Sequence, residues 1–195
     1  VTGNAGRGKT ALLQEFARRA QLANEELLVA SGNCNPHTGT GDPYLPFREI
    51  LRMLCADVEQ GWAAGSVTHD HALRLWRFLP VAVEALVAHG RDLLDTFVPG
   101  EALLRRAAAH DSIELVLLER LQGLIERGAD RSQEAGLDQG RIFQEVADLL
   151  HALSRDQPLL LILDDLHWAD GSSVNLLFHL GRRLVECPIL ILGAY

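Results

Sequence analysis

"VTGNAGRGKTALL", residues 1–13, contains the only lysine of the chain: Lys9 stands between Gly8 and Thr10, and the other 17 of the 18 Lys and Arg residues are arginine. The segment satisfies G-x-x-x-x-G-K-[ST] at every fixed position, from Gly3 through Gly8 and Lys9 to Thr10. A chain that wraps a triphosphate must bring several backbone N–H groups onto the same oxygens, and glycine permits that approach and the positive φ angles it needs. The helix that follows then aims its positive end at the phosphates. Lysine suits the place as a compact charge with three rotatable donors that can bridge β- and γ-phosphate oxygens, where a planar guanidinium is too bulky and too fixed. Gly3, Asn4, Ala5, Gly6, Arg7, Gly8, Lys9 and Thr10 are therefore candidate phosphate-binding residues, Lys9 also acting on the reacting phosphate. For Arg7, phosphate contact and plain solvation are equal readings.

Outward from this loop, Val1 and Thr2 read as the tail of a strand, and a helix is expected from about Gly8 to Leu22 with Ala11, Leu12, Phe16 and Ala20 on its apolar face. "ELLVASG" (26–32) reads as a short buried strand, closed by the polar stretch "GNCNPHTGTGDP". From Tyr44 to about Gly128 the pattern is helical, with breaks expected at Gly65, Pro80, Gly90 and Pro99. Trp62 and Trp76 with Leu73, Leu75 and Phe78 are expected in the core of this insertion. His69 and His71, on different faces of a helix, read as a solvated helix start rather than a metal site. Residues 129–140 read as a polar loop, after which Ile142, Phe143, Val146, Leu149, Leu150 and Leu153 follow helical spacing. Pro158 introduces "LLLILDD", an unbroken apolar run of the kind that forms a parallel strand buried on both faces. Asp170 or Ser172 can cap a helix from about Ser173 to Val185, and "ILILGAY" follows Pro188 as a last strand. Strands alternating with helices predict an α/β fold with a central parallel sheet and a helical insertion between its second and third strands.

The acids that close "LLLILDD" complete the chemistry of the loop. A phosphate-bound Mg²⁺ takes oxygen ligands, and Thr10 offers only a hydroxyl. Asp164 is the expected metal carboxylate, through a coordinated water, and Asp165 stands where it can polarise the water that attacks the γ-phosphate. Two adjacent carboxylates also repel each other, which a bound cation relieves.

A formal charge of −8 and scattered arginines argue against a nucleic-acid surface. A 48% hydrophobic content argues against disorder, yet no apolar run approaches the roughly 20 residues of a membrane span. Cys34, Cys55 and Cys187 are odd in number and without a CxxC pair, so a reducing, cytoplasmic setting is expected. A chain without a second lysine lacks the usual N/T-K-x-D guanine signature, which favours ATP over GTP.

"GNAGRGKT", "GDPYLPFREIL" (41–51), "RIFQEVADLLHALS" (141–154) and "LLLILDDLHWAD" (159–170) together resemble the ATPase domain of AAA-type STAND regulators, large bacterial signalling proteins. The resemblance implies a three-layer P-loop fold of the additional-strand class, with "ILILGAY" between the phosphate-loop strand and the strand carrying Asp164. It also implies ATP as ligand, Mg²⁺ as cofactor, and a switch between ADP and ATP states. Relatives commonly carry Glu where this chain has Asp165, one methylene shorter, so slow hydrolysis is expected. His167 is open between a structural role with Trp168, packing the turn before the next helix, and a role that the resemblance invites, sensing the γ-phosphate or contacting Asp165. The chain is expected to be a single incomplete P-loop ATPase domain, its first strand and C-terminal lid truncated. Its expected partners are ATP or ADP, other domains of a longer chain and, with nucleotide, further copies of itself; nucleic acid and membrane are not. Two rivals remain, a non-hydrolysing nucleotide-bound scaffold and a small-molecule kinase. The kinase would set its acid-bearing strand directly beside the loop strand.

Overall fold

The computed structural model describes residues 1–4, 6–34, 43–59, 61, 67–131 and 138–195. Ala5, Trp62, Gly65 and most of the polar stretches 32–43 and 129–140 lie outside the described residues. Three parallel strands, β1 (Leu28–Asn33), β2 (Leu159–Asp164) and β3 (Ile189–Gly193), pair in the order β1-β2-β3, with Asn33 opposite Asp164. The ladder continues past β3 into the start of the chain. Val1 N donates to Gly193 O at 2.7 Å, Tyr195 N to Val1 O at 2.9 Å, and Gly3 N to Tyr195 O at 3.2 Å. β3 therefore lies between the phosphate-loop segment and β2, the strand order expected of the additional-strand class and not that of the kinase alternative.

All six β2 residues are buried. Leu160 and Ile162, with Val29 and Ala194, face α1 (Lys9–Ala23); Leu159, Leu161 and Leu163, with Leu28 and Ala30, face the remaining helices. This alternation builds three layers from one sheet. The far layer holds α2 (Leu45–Leu54), α3 (His69–His89), α4 (Gly100–Ala108) and α5 (Leu115–Arg131), then α6 (Gln139–Asp156) and α7 (Gly171–Arg183). Asp170 caps α7 by accepting from Ser173 N at 2.9 Å.

Four expectations need correction. The buried face of α1 is Leu13 and Ala17 with Ala20 at its margin, whereas Ala11, Leu12 and Phe16 are exposed. Thr10, Leu13 and Ala17 share one stripe, so the tie between Thr10 and β2 described below sets the helix rotation, and the larger side chains are left one position round the turn. Pro80 does not break the insertion, because α3 runs through it with Leu75, Phe78, Leu79, Ala82, Val83 and Leu86 all buried. Burial on both sides of the proline outweighs one lost backbone hydrogen bond. Gly90 and Pro99 do end and begin helices, as expected. Leu73 is exposed rather than core, while Trp76 is partly buried with its ring 5.0 Å from that of His110. His71, read as solvated, is buried, with the Val29 backbone carbonyl beside its ring.

Candidate nucleotide site

Gly6 and Gly8 adopt φ of +74° and +80°, a region open to glycine without strain. Gly8 is the N-cap of α1, and neither a capping side chain nor an acidic residue occupies its first turn. The helix therefore presents its first N–H groups and its positive end to the loop. Lys9 Nζ arches back to donate to Gly3 O at 2.8 Å and Asn4 O at 3.3 Å, which holds the ammonium over the loop.

The second half of the site arrives from β2. Thr10 Oγ1 donates to Asp164 Oδ2 at 2.6 Å, a contact between residues 154 apart in sequence. Asp164 is buried, and its other oxygen accepts from Asp165 N at 2.9 Å. The donor set fits Mg²⁺: a hydroxyl and a carboxylate, both hard oxygen donors, stand side by side at 2.6 Å and would hold the ion. Among the described residues no group of three or more His, Cys, Asp or Glu could hold a metal ion. The field at this end of the sheet is negative. Burial pushes the Cys34 thiol up to about 11, and Asp170, Glu49, Asp165 and Asp164 all push the same way.

Asp165 has a left-handed backbone, φ +55°, and a half-exposed side chain. Its carbonyl accepts from Trp168 N at 2.9 Å, closing a short 3₁₀ turn over Leu166–Trp168. Leu166 fastens this turn to β3: its N–H donates to Ala194 O at 2.9 Å, and its side chain fills the space a Cβ at Gly193 would need. His167 and Trp168 are exposed, their rings 5.1 Å apart, while Leu166 makes the turn's contacts with β3.

These parts face each other across a cleft of about 950 Å³. Gly3, Gly6, Gly8, Lys9 and Thr10 form one wall, and Asp165, His167 and Trp168 the other. Asn4 contributes its carbonyl to Lys9, and the Arg7 side chain is exposed. Gln14 and Tyr195 also line the cleft and were not anticipated. Gln14 follows Thr10 by four residues on the same helix, a spacing legible in sequence, whereas Tyr195 enters only because β3 neighbours the loop segment.

The family model of the AAA ATPase domain matches residues 1–192. The chain belongs to that family. Membership implies nucleotide binding and hydrolysis, and AAA ATPases generally use ATP with Mg²⁺. No curated protein and no solved structure is significantly similar to this AAA ATPase domain. No helix among its described residues is long and apolar enough to cross a membrane.

Proposed function

We propose that this AAA ATPase domain binds ATP with Gly3 to Thr10, holds Mg²⁺ between Thr10 and Asp164, and hydrolyses ATP slowly as the nucleotide switch of a larger cytoplasmic regulator of the STAND type. The observation that carries the reading is the 2.6 Å contact between Thr10 and Asp164, which joins the loop to the acid-bearing strand. The N-terminal amides of α1 hold the phosphates, and Lys9 exchanges the carbonyls of Gly3 and Asn4 for β- and γ-phosphate oxygens. Mg²⁺, when bound, supplies charge neutralisation at the same oxygens. Asp165 accepts a hydrogen bond from the water that attacks the γ-phosphate. Other domains of a longer chain and further copies of this one are the proposed partners.

The test is steady-state ATP hydrolysis by the chain against its Asp165→Asn variant. Turnover is expected to fall by about 10²-fold, the lower range for a lost general base. Unchanged turnover would remove Asp165 from the mechanism. Tight ATP binding with no phosphate release over hours would favour the non-hydrolysing scaffold instead.

A further inference from the structure

We propose that the cleft between α1 and the first turn of α3 is a second binding site, for a small neutral molecule whose flat apolar body carries an amide edge. The cleft measures about 580 Å³, within the range of small-molecule sites, and among the described residues only Gln14 lines both it and the nucleotide cleft. Gln14, Ala17, Arg18 and Gln21 bring one stripe of α1 to it, at the spacing of successive turns. Buried Ala17, Val29 and Ile162 give it an apolar lining. The guanidinium groups beside it are engaged elsewhere: Arg18 pairs with Glu15 at 2.8 Å, and Arg74 donates to the carbonyls of Gln21 and Asn24 at 3.3 and 3.5 Å. With exposed Asp70 next to them, these charges do not mark the cleft for an anion.

Two polar atoms in this setting lack a hydrogen-bond partner among the described residues, Gln21 Nε2 and His71 Nε2. Both atoms are buried, both side chains line the cleft, and His71 as a whole is only 8% exposed. Polar groups buried without a partner are costly, so the pair points to a molecule that satisfies them. The Val29 carbonyl accepts from the ring of His71, and since Nε2 is unpartnered the proton is assigned to Nδ1. Burial keeps the ring neutral, which leaves Nε2 as a lone pair. Gln21 offers amide N–H donors. A donor and an acceptor beside an apolar lining match an amide, whose carbonyl takes the Gln21 N–H while its own N–H reaches His71 Nε2. Water alone would satisfy the two atoms and leave the apolar lining wet.

A ¹H–¹⁵N NMR titration of the chain with benzamide tests this, with acetophenone as the isostere that keeps the ring and the carbonyl but lacks the N–H. Benzamide is expected to shift the backbone signals of residues 17–22 and 68–74 saturably. It should bind about ten-fold more tightly than acetophenone, the upper range for one neutral hydrogen bond. His71→Phe is expected to abolish that preference while both probes still bind. Gln21→Leu, at a half-buried position on α1, should weaken both probes about equally and tests the site without touching the core. Benzamide should stay bound when MgATP is saturating. Equal affinities of the two probes for wild type, a Gln21→Leu variant that binds both as wild type does, or a preference that survives His71→Phe would each overturn the inference. Displacement of benzamide by MgATP would do the same, as would no saturable shift at millimolar benzamide, which would assign the two atoms to water.

Discussion

Lys9 and His71 show how single side chains here are governed by what surrounds them. Lys9 spends its ammonium on two loop carbonyls, so it is already aimed over the space a phosphate would take. His71, on α3, is pushed below the ordinary histidine pKa by burial first and by the charge of Arg74 next, with the Val29 carbonyl opposing. A histidine that is harder to protonate when folded stabilises the fold fully above the unfolded value near 6.5, and that contribution is lost as pH falls from there through the lower folded value. Glu49 and Glu145 have pKa values raised by burial and run the other way, so a raw stability profile mixes both signs. Denaturant unfolding of wild type and His71→Phe at pH 7.5 and 5.5 separates them. The wild type should lose stability relative to the variant on acidification, by no more than about 1.4 kcal/mol per pH unit; parallel profiles would mean that His71 titrates as in the unfolded chain. The sequence shows this histidine only as one polar residue between His69-Asp70 and Ala72, because its burial comes from β1 and not from its own helix. That Thr10 and Asp164 meet was legible for the opposite reason: the loop motif and the acid-closed strand name those two residue types, and the structure sets them 2.6 Å apart.

At the scale of elements, β1 and α2 approach closely at Gly32. A Cβ at Gly32 would collide with the carbonyl oxygen, carbonyl carbon and Cα of Pro46, all backbone atoms that cannot rotate away. Gly32→Ala must therefore move α2 off the sheet, at an expected cost of about 1–3 kcal/mol. Gly181, exposed on α7 with nothing within 4 Å of its missing Cβ, is the control. Gly181→Ala should gain up to about 1 kcal/mol from helix propensity alone. Chemical denaturation of the two variants checks both signs, and equal effects would mean that propensity rather than contact governs Gly32. Elements were readable where one local pattern decides them, as in α6 with its helical spacing or β2 with its unbroken apolar run. They were misread where a distant contact decides. The face of α1 follows Thr10 and its partner on β2, and α3 passes through Pro80 because the packing on both sides of it persists.

For the molecule as a whole, the order of the sheet makes the site a property of long-range pairing. The loop segment pairs with β3 and β3 with β2, while the hydroxyl of Thr10 meets the carboxylate of Asp164 on β2 directly. Ligand that bridges the two must then stabilise the entire sheet by mass action. At free MgATP about 100-fold above its Kd, the expected gain is about 2.7 kcal/mol of unfolding free energy, and chelation of Mg²⁺ should remove most of it. Asp164→Asn isolates the metal. The asparagine carbonyl can still accept from Asp165 N, and its amide can donate to Thr10 Oγ1 once that hydroxyl reverses direction, so both buried hydrogen bonds survive while the charge is lost. The ligand-free stability of this variant should stay within about 1 kcal/mol of wild type, since no buried polar group is orphaned. Its Mg²⁺-dependent increment, read as the shift in unfolding midpoint with and without chelator at saturating ATP, should vanish. A variant that keeps the full increment would place the cation elsewhere in the cleft and detach Thr10 and Asp164 from metal binding.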